Sequence, residues 1–261
     1  MKNFRPQSRP KKSSLIIGRK DILDAIQSGK ALERIYLQNN IGGKEIIEIT
    51  KLGSQHKIPI NKVPVEKLNS FNVGPHEGCV ALISKIQYQD LQEVISFVVE
   101  KAEVPLFLIL DGITDIRNIG GIARTALCTG VNGIIIPDKG VGMLNEDAVL
   151  TSAGALEKIP VCRVNSLMKA IDELHLNGIK VFASEMTAGK KIFDMDFKEP
   201  VAIVMGSEEK GIYPALMKTC DERFRIPMVG DFESLNVSVA TGMILYEVMK
   251  QRSPLFPRGG T

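Results

Sequence analysis

Leu106-Phe-Leu-Ile-Leu110 is an unbroken apolar run with no polar residue at alternate positions. A strand with one wet face alternates apolar and polar side chains, so a continuous run reads as a strand buried on both faces, as in a parallel sheet covered by helices. Working outward, shorter or less pure versions return at Gly133 to Pro137, Ile159 to Val164, Ile179 to Ala183, Val201 to Met205 and Phe224 to Ile226, with helical segments between them. The carboxyl-terminal part of the chain is therefore expected to be a doubly wound α/β domain. Ligands of such sheets sit beyond the carboxyl ends of the strands, where loops lead into helices. Three junctions rich in glycine and polar residues hold that position: Asp111 to Arg124, Gly206 to Gly211 and Met228 to Asn236.

Upstream, helical and extended patterns alternate in a smaller α/β module. Lys20 to Ser28, Lys44 to Gly53 and Val65 to Phe71 read as helices, and Arg34 to Leu37, Ile58 to Val63 and Gly78 to Ser84 as strands. Leu91, Val94, Ile95, Val98 and Val99 fall at helical spacing and make Asp90 to Lys101 an amphipathic helix bridging two domains. The expected organisation is a disordered basic arm over residues 1–13, a small α/β domain over 14–85, a linker helix over 86–104, a doubly wound domain over 105–252 and a tail over 253–261.

Composition narrows the function classes. The chain has 261 residues, 44% hydrophobic and 24% charged, which fits a globular protein with a sizeable core. Of its 33 basic residues, Lys2, Arg5, Arg9, Lys11 and Lys12 crowd the first thirteen positions without an acid, leaving a near-neutral body. Such an arm suits a polyanionic partner, because basic arms add sequence-independent, salt-sensitive affinity. No apolar run reaches the roughly 18 residues that a spanning helix needs, and no signal-peptide core is visible, so no membrane and a cytoplasmic location are expected. Cys79, Cys128, Cys162 and Cys220 form no Cys-x-x-Cys pair, and three histidines complete no ligand set, so reduced thiols and no metal are expected.

Each junction has a plain structural reading beside its chemical one. In Asn118-Ile-Gly-Gly-Ile-Ala-Arg124, Gly120 and Gly121 would let the backbone approach a ligand, and Arg124, one turn into a helix, would point from its start to the same space. Arg124 is equally readable as a surface arginine with its stem packed on the sheet. In Val204-Met-Gly-Ser-Glu-Glu-Lys-Gly211, Gly206 would let a flat ring lie against the strand end and Glu208 or Glu209 would accept hydrogen bonds. The plain alternative is a charged helix start. In Ser234-Leu-Asn-Val-Ser238, the polar side chains read as caps of a last helix that is apolar to Met249.

Taken together, Asn-x-Gly-x-x-x-Arg at 118 to 124, Met-Gly-Ser-Glu-x-x-Gly at 205 to 211, Ile226-Pro-Met228 and Ser234-Leu-Asn-Val-Ser238 resemble, in order and spacing, the motifs of the SPOUT-class, SpoU-type RNA ribose 2′-O-methyltransferases. The resemblance covers the second domain, including Thr151-Ser-Ala-Gly-Ala-Leu156. It extends to Gly18-Arg-Lys20 and His76-Glu-Gly-Cys-Val80, which look like the ribosomal-protein-like RNA-binding module of the bacterial 23S ribosomal RNA guanosine enzymes. Glu77 departs from the glutamine common in that group, which touches a fine substrate contact and not the class.

The resemblance implies a deep trefoil knot in the parallel-sheet domain, S-adenosylmethionine as methyl donor, and an obligate homodimer. It implies donor contacts at Gly206, Ile226, Met228, Ser234, Leu235 and Asn236, and RNA contacts at Arg19, Lys20 and His76. The catalytic set it implies is Arg124, with Asn118 and Glu208 holding Arg124 and the ribose, and Ser234 and Asn236 at the reacting edge. A guanidinium, with a pKa above about 12, is a poor base near neutral pH, so phosphate binding and stabilisation of developing alkoxide charge suit Arg124 better. The substrate expected is a guanosine ribose of 23S ribosomal RNA, with transfer RNA as the nearest rival and a non-catalytic RNA clamp as the rival from another class. A nicotinamide-dependent dehydrogenase fails for want of Gly-x-Gly-x-x-Gly and its following acid.

Overall fold

The structure is a computed structural model that describes residues 14–230 and 234–253. The basic arm, the tail beyond Ser253, and Phe232 and Glu233 before the last helix lie outside the described residues. The chain divides into two compact units between Lys85 and Ile86.

The first unit contains strands β1 (Leu15–Ile17), β2 (Leu32–Gln38), β3 (Ile60–Val63) and β4 (Cys79–Ile83), and helices α1 (Arg19–Gln27), α2 (Lys44–Gln55) and α3 (Val65–Asn69). Its sheet has the order β1-β4-β2-β3. β4 runs antiparallel to both neighbours, and only β2 and β3 are parallel. Ile22 and Ile26 of α1 and Ile46 and Ile49 of α2 pack on Ile35, Leu37, Cys79 and Ala81, which gives the unit a core of its own.

The second unit begins with α4 (Leu91–Glu100), followed by β5 (Leu106–Asp111), α5 (Ile116–Cys128), β6 (Gly133–Pro137), α6 (Glu146–Thr151), β7 (Val161–Val164) and α7 (Leu167–Leu176). It continues through β8 (Lys180–Ser184), β9 (Lys190–Lys191), β10 (Val201–Gly206), α8 (Pro214–Met217), β11 (Glu222–Arg225) and α9 (Val237–Arg252). All six pairings of its seven-stranded sheet, ordered β7-β6-β5-β10-β8-β11-β9, are parallel. The apolar run of β5 divides between the two faces. Leu106, Leu108 and Leu110 join Ile122, Ala126, Ile244 and Leu245 of α5 and α9, while Phe107 and Ile109 join α4 and α7. That division explains the missing alternation, since both faces are dry. The buried face of α4, formed by Leu91, Val94, Ile95 and Val98, belongs to this second core.

From β5 the chain steps outward to β6 and β7, then crosses to β8 and returns to β10 beside β5. The strand order therefore reverses between β5 and β10, whose last residues, Asp111 and Gly206, are register partners. A crevice at such a reversal is where doubly wound sheets bind ligands.

The end of α9 is pinned. Arg252 donates through Nε to the Phe197 carbonyl at 2.7 Å, and through its terminal nitrogens to the carbonyls of Val104 at 2.8 Å, Glu199 at 2.8 Å and Pro105 at 3.1 Å. Burial pushes this guanidinium down to about 10, and four carbonyl acceptors replace the water it has lost.

Candidate active site

The three junctions meet at one carboxylate. Glu208 Oε1 accepts from Asn118 Nδ2 at 3.2 Å, from Asn236 Nδ2 at 2.5 Å and from the backbone N–H of Val237 at 3.2 Å. Asn236 Nδ2 also donates to Asn118 Oδ1 at 3.0 Å. The other end of the same amide caps α9, with Asn236 Oδ1 accepting from the N–H groups of Ser238 at 3.0 Å and Val239 at 3.4 Å and from the Ser238 hydroxyl. Thus one asparagine both starts the last helix and ties it to the first junction. Of the three side chains read as caps, Asn236 performs the capping; Ser238 donates to it, and Ser234 lines a cavity.

The Gly206–Gly211 segment is a tight turn and not a helix start. Ser207 and Gly211 exchange backbone hydrogen bonds at 2.8 and 3.1 Å, Gly211 has φ +65°, and α8 begins only at Pro214. A Cβ added at Gly206 would lie 2.2 Å from the Gly211 carbonyl carbon and 2.4 Å from the Ile212 nitrogen. Gly206 is therefore required by the chain's own backbone, a different reason from the ligand ring read in the sequence. Gly206→Ala is expected to destabilise the protein by about 1–3 kcal/mol, because the backbone must shift to relieve the overlap. A thermal melt indistinguishable from the parent's would contradict this close approach.

Cavities lie on either side of this turn. One, of about 310 Å³, has Met205, Ile212, Ile226, Leu235 and Val237 in its wall, with Ser184, Glu185, Thr187, Gly206, Glu208, Met228 and Ser234. Five of the six residues expected to hold a cofactor line it; the sixth, Asn236, is beside it in the capping network. The other, of about 750 Å³, is lined by Asp111, Thr114, Asp115, Asn118, Glu208, Lys210 and Tyr213, among others. Sequence reading passed over Asp111 and Tyr213, which the backbone N–H of Tyr213 joins by donating to Asp111 Oδ2 at 2.7 Å. The signal was present, since an acid ending the first buried strand occupies the ligand end of the sheet. Asp115 caps α5, and the hydrogen-bonded Arg117 guanidinium holds its carboxyl below the usual carboxylate range.

Three expectations for the first junction need correction. α5 starts at Ile116, so Arg124 lies more than two turns inside it, about 9 Å along the axis from Asn118 at the usual rise per residue. Arg124 is exposed, lines neither cavity, and has no hydrogen bond or ion pair among the described residues. Within one chain, Asn118 and Glu208 therefore bond to each other and to Asn236, and Arg124 of the same chain is not among their partners. Nor do Gly120 and Gly121 face a ligand. A Cβ on Gly120 would meet Thr151 Cγ2 at 2.8 Å, and one on Gly121 would meet Ser238 Cβ at 3.3 Å, so both serve close packing of α5 on its neighbours.

In the first unit, Arg19, Lys20 and His76 have different surroundings. The Arg19 Nε donates to the Glu77 carbonyl at 3.2 Å and its guanidinium reaches Glu45 at 3.4 Å. Glu77 Oε2 accepts the Arg19 backbone N–H at 3.2 Å, so the residue that departs from the family pattern caps α1. His76 Nδ1 accepts from the Gly78 N–H at 3.0 Å, which makes Nε2 the donor to Asn69 Oδ1 at 3.0 Å. Lys20 is exposed and has no partner among the described residues. Among the described residues, no group of three or more His, Cys, Asp or Glu is placed to hold a metal, and no helix is long and apolar enough to cross a membrane.

Known proteins resemble most of the chain. Residues 105–246 match the family described as SpoU rRNA methylase, and residues 15–89 match RNA 2′-O ribose methyltransferase substrate binding. A Bacillus subtilis protein, YacO, assigned to the TrmH family of tRNA/rRNA methyltransferases, is 35% identical over 92% of this chain and 96% of its own. A Staphylococcus aureus protein assigned to the same family is 38% identical with the same coverage. Among solved structures, the SpoU methyltransferase AviRb from Streptomyces viridochromogenes, in complex with the cofactor AdoMet, superposes with a TM-score of 0.59 at 24% identity, covering 91% of this chain and 90% of that one.

Proposed function

We propose that this chain, which belongs to the SpoU rRNA methylase family, transfers a methyl group from S-adenosylmethionine to the 2′-hydroxyl of a guanosine ribose in 23S ribosomal RNA. The observation that carries the reading is the convergence of Asn118, Glu208 and Asn236 between two cavities at the β5/β10 reversal. One cavity suits a donor and the other a nucleotide. The AdoMet complex of AviRb is a further support.

The 310 Å³ cavity fits the donor by size and by chemistry. It falls at the small end of ligand pockets, and its apolar walls with a few polar groups suit a nucleoside carrying a charged tail. Met205, Ile212, Ile226 and Leu235 would cover the ring, and Ser184, Thr187 and Ser234 offer hydroxyls to the polar parts. S-adenosylmethionine supplies, when bound, an electrophilic methyl on a sulfonium sulfur. The residues of the chain have to bring the ribose 2′-oxygen into line with it, exclude water and stabilise developing oxygen charge. Asn118 and Asn236 set the edge against which the ribose rests, and Glu208 fixes both amides. The trefoil knot belongs to the same reading.

Arg124 enters through a second copy of the chain. Val239, Met243 and Tyr246 of α9 are 53%, 47% and 52% exposed and form one stripe at helical spacing. The same helix packs on α5 through Gly121 and Ser238, so Arg124, three residues along α5, borders that seam. A homodimer that covers the stripe carries each Arg124 toward its partner's site, where its guanidinium binds the adjacent phosphate and stabilises the alkoxide. The double variant Met243→Glu, Tyr246→Glu is expected to be monomeric by native mass spectrometry and to lose about a hundredfold or more in turnover, with donor affinity nearly unchanged. A fully active monomer would end the dimer proposal.

The decisive experiment maps ribose methylation across ribosomal and transfer RNA from a strain lacking the gene, with and without complementation. Loss of one 2′-O-methylguanosine in 23S ribosomal RNA is expected. Loss in transfer RNA would move the substrate, a reading that the tRNA/rRNA assignment of the relatives also supports. No S-adenosylmethionine binding at millimolar concentration by calorimetry would remove the enzyme itself.

A further inference from the structure

We propose that the 750 Å³ cavity seats the target base and that Asp111 and Tyr213 select guanine within it. The inference rests on the reading of this site as a ribose methyltransferase and adds what distinguishes one base from another. Asn118 belongs both to the amide cluster and to this cavity's wall, so a nucleotide whose ribose rests on the cluster has its base beside Asp111 and Tyr213.

The electrostatics of the wall point to a base with adjacent donors. A carboxylate only accepts hydrogen bonds, and its two oxygens lie side by side. Guanine alone among the four RNA bases presents two neighbouring donors, N1–H and the N2 amino group, on its Watson–Crick edge. Adenine and cytosine pair a donor with an acceptor there, and uracil has one donor between two acceptors. Of the acids on this wall, Asp115 is committed to Arg117 and the start of α5, and Glu208 to Asn118, Asn236 and the Val237 N–H. Glu209 and Lys210 stand on the turn at the rim. Asp111 is held by one backbone hydrogen bond from Tyr213, which fixes the carboxylate and leaves acceptor capacity on both oxygens.

Tyr213 provides the second element. Tyr213 is among the residues that line the cavity and is 63% exposed. An exposed aromatic residue that lines a cavity with polar walls offers a face to an unstacked base. The hydrogen bond from its own N–H to Asp111 couples the stacking ring to the edge-reading carboxylate.

The test uses the full chain and a synthetic RNA hairpin centred on the mapped nucleotide, carrying guanine, hypoxanthine, 2-aminopurine or 7-deazaguanine there. Hypoxanthine lacks the N2 amino group and 2-aminopurine lacks N1–H, so each is expected to lower kcat/KM about tenfold or more, the effect of losing one good edge contact. 7-Deazaguanine keeps that edge and is expected to react like guanine. Asp111→Asn can still accept the Tyr213 N–H through Oδ1 but turns an amide donor toward the base, so guanine and hypoxanthine should become nearly equal substrates while calorimetric donor affinity stays at the parent value. Tyr213→Ala should raise KM for all four RNAs about tenfold, and Tyr213→Phe should restore it. The inference is overturned if the parent protein methylates guanine and hypoxanthine equally, if 7-deazaguanine loses as much as hypoxanthine, or if Asp111→Asn keeps the parent's preference. The analogue series on the parent protein depends on no variant folding. Failure to bind S-adenosylmethionine or to methylate any RNA would instead remove the reading beneath it.

Discussion

Replacement of Glu208 by alanine is expected to lower methyl transfer by about a hundredfold while costing only about 1 kcal/mol of stability. The two effects differ because Glu208 is exposed and the side-chain amides of Asn118 and Asn236 regain water when it is removed, whereas the geometry they shared is lost. Without this acceptor Asn118 keeps only the bond that its Oδ1 accepts from Asn236, and Asn236 keeps that bond and its capping contacts, so the edge loosens, and a displacement of about 1 Å there is enough for the hundredfold loss. Glu208→Gln keeps one carbonyl acceptor and should recover the melting temperature but only part of the turnover. Single-turnover methyl transfer and a thermal melt check both arms. Full turnover in the alanine variant would show that the cluster is only a helix cap.

Arg124→Lys is expected to cost about a hundredfold or more in kcat with no change in donor affinity. Lysine keeps the positive charge and loses the planar fork, so the loss reports bidentate placement of phosphate and alkoxide. Donor affinity is spared because Arg124 does not line the donor cavity. Mixing this variant with Glu208→Ala adds a test of where Arg124 acts. If it serves the partner's site, mixed dimers hold one site with both defects and one intact site, and activity returns. If it serves its own chain, every site in the mixture is defective and activity stays lost.

The parallel-sheet domain was legible because its strands carry continuous apolar runs. The Leu106 to Leu110 expectation falls within β5, and Gly133 to Pro137 coincides with β6. β9 went unread, since Lys190–Lys191 is two exposed residues at a sheet edge and carries no periodic signal. The start of α5 was misplaced for a different reason. Two consecutive glycines disfavour a helix by about 1 kcal/mol each, and their propensity pointed to a loop. Close packing against Thr151 and Ser238 overrides it, a tertiary cause that no local window contains. Asp115, the cap that marks the true start, was in plain view. The candidate site divides similarly. Asn118, Glu208 and Asn236 lie in junctions found by position after strands, but their mutual bonds join residues 28 to 118 positions apart. The same separation hid the carboxylate at Asp111, whose partner Tyr213 is 102 residues away.

The staple at Arg252 bears on synthesis. Its acceptors at Val104 and Pro105 emerge from the ribosome nearly 150 residues before the guanidinium that clasps them, as the separations of 148 and 147 record. At elongation rates of about 5–20 residues per second, the catalytic domain waits roughly 7–30 seconds with that clasp open. Through that interval the face of β5 that shares a core with α9 has no cover from it.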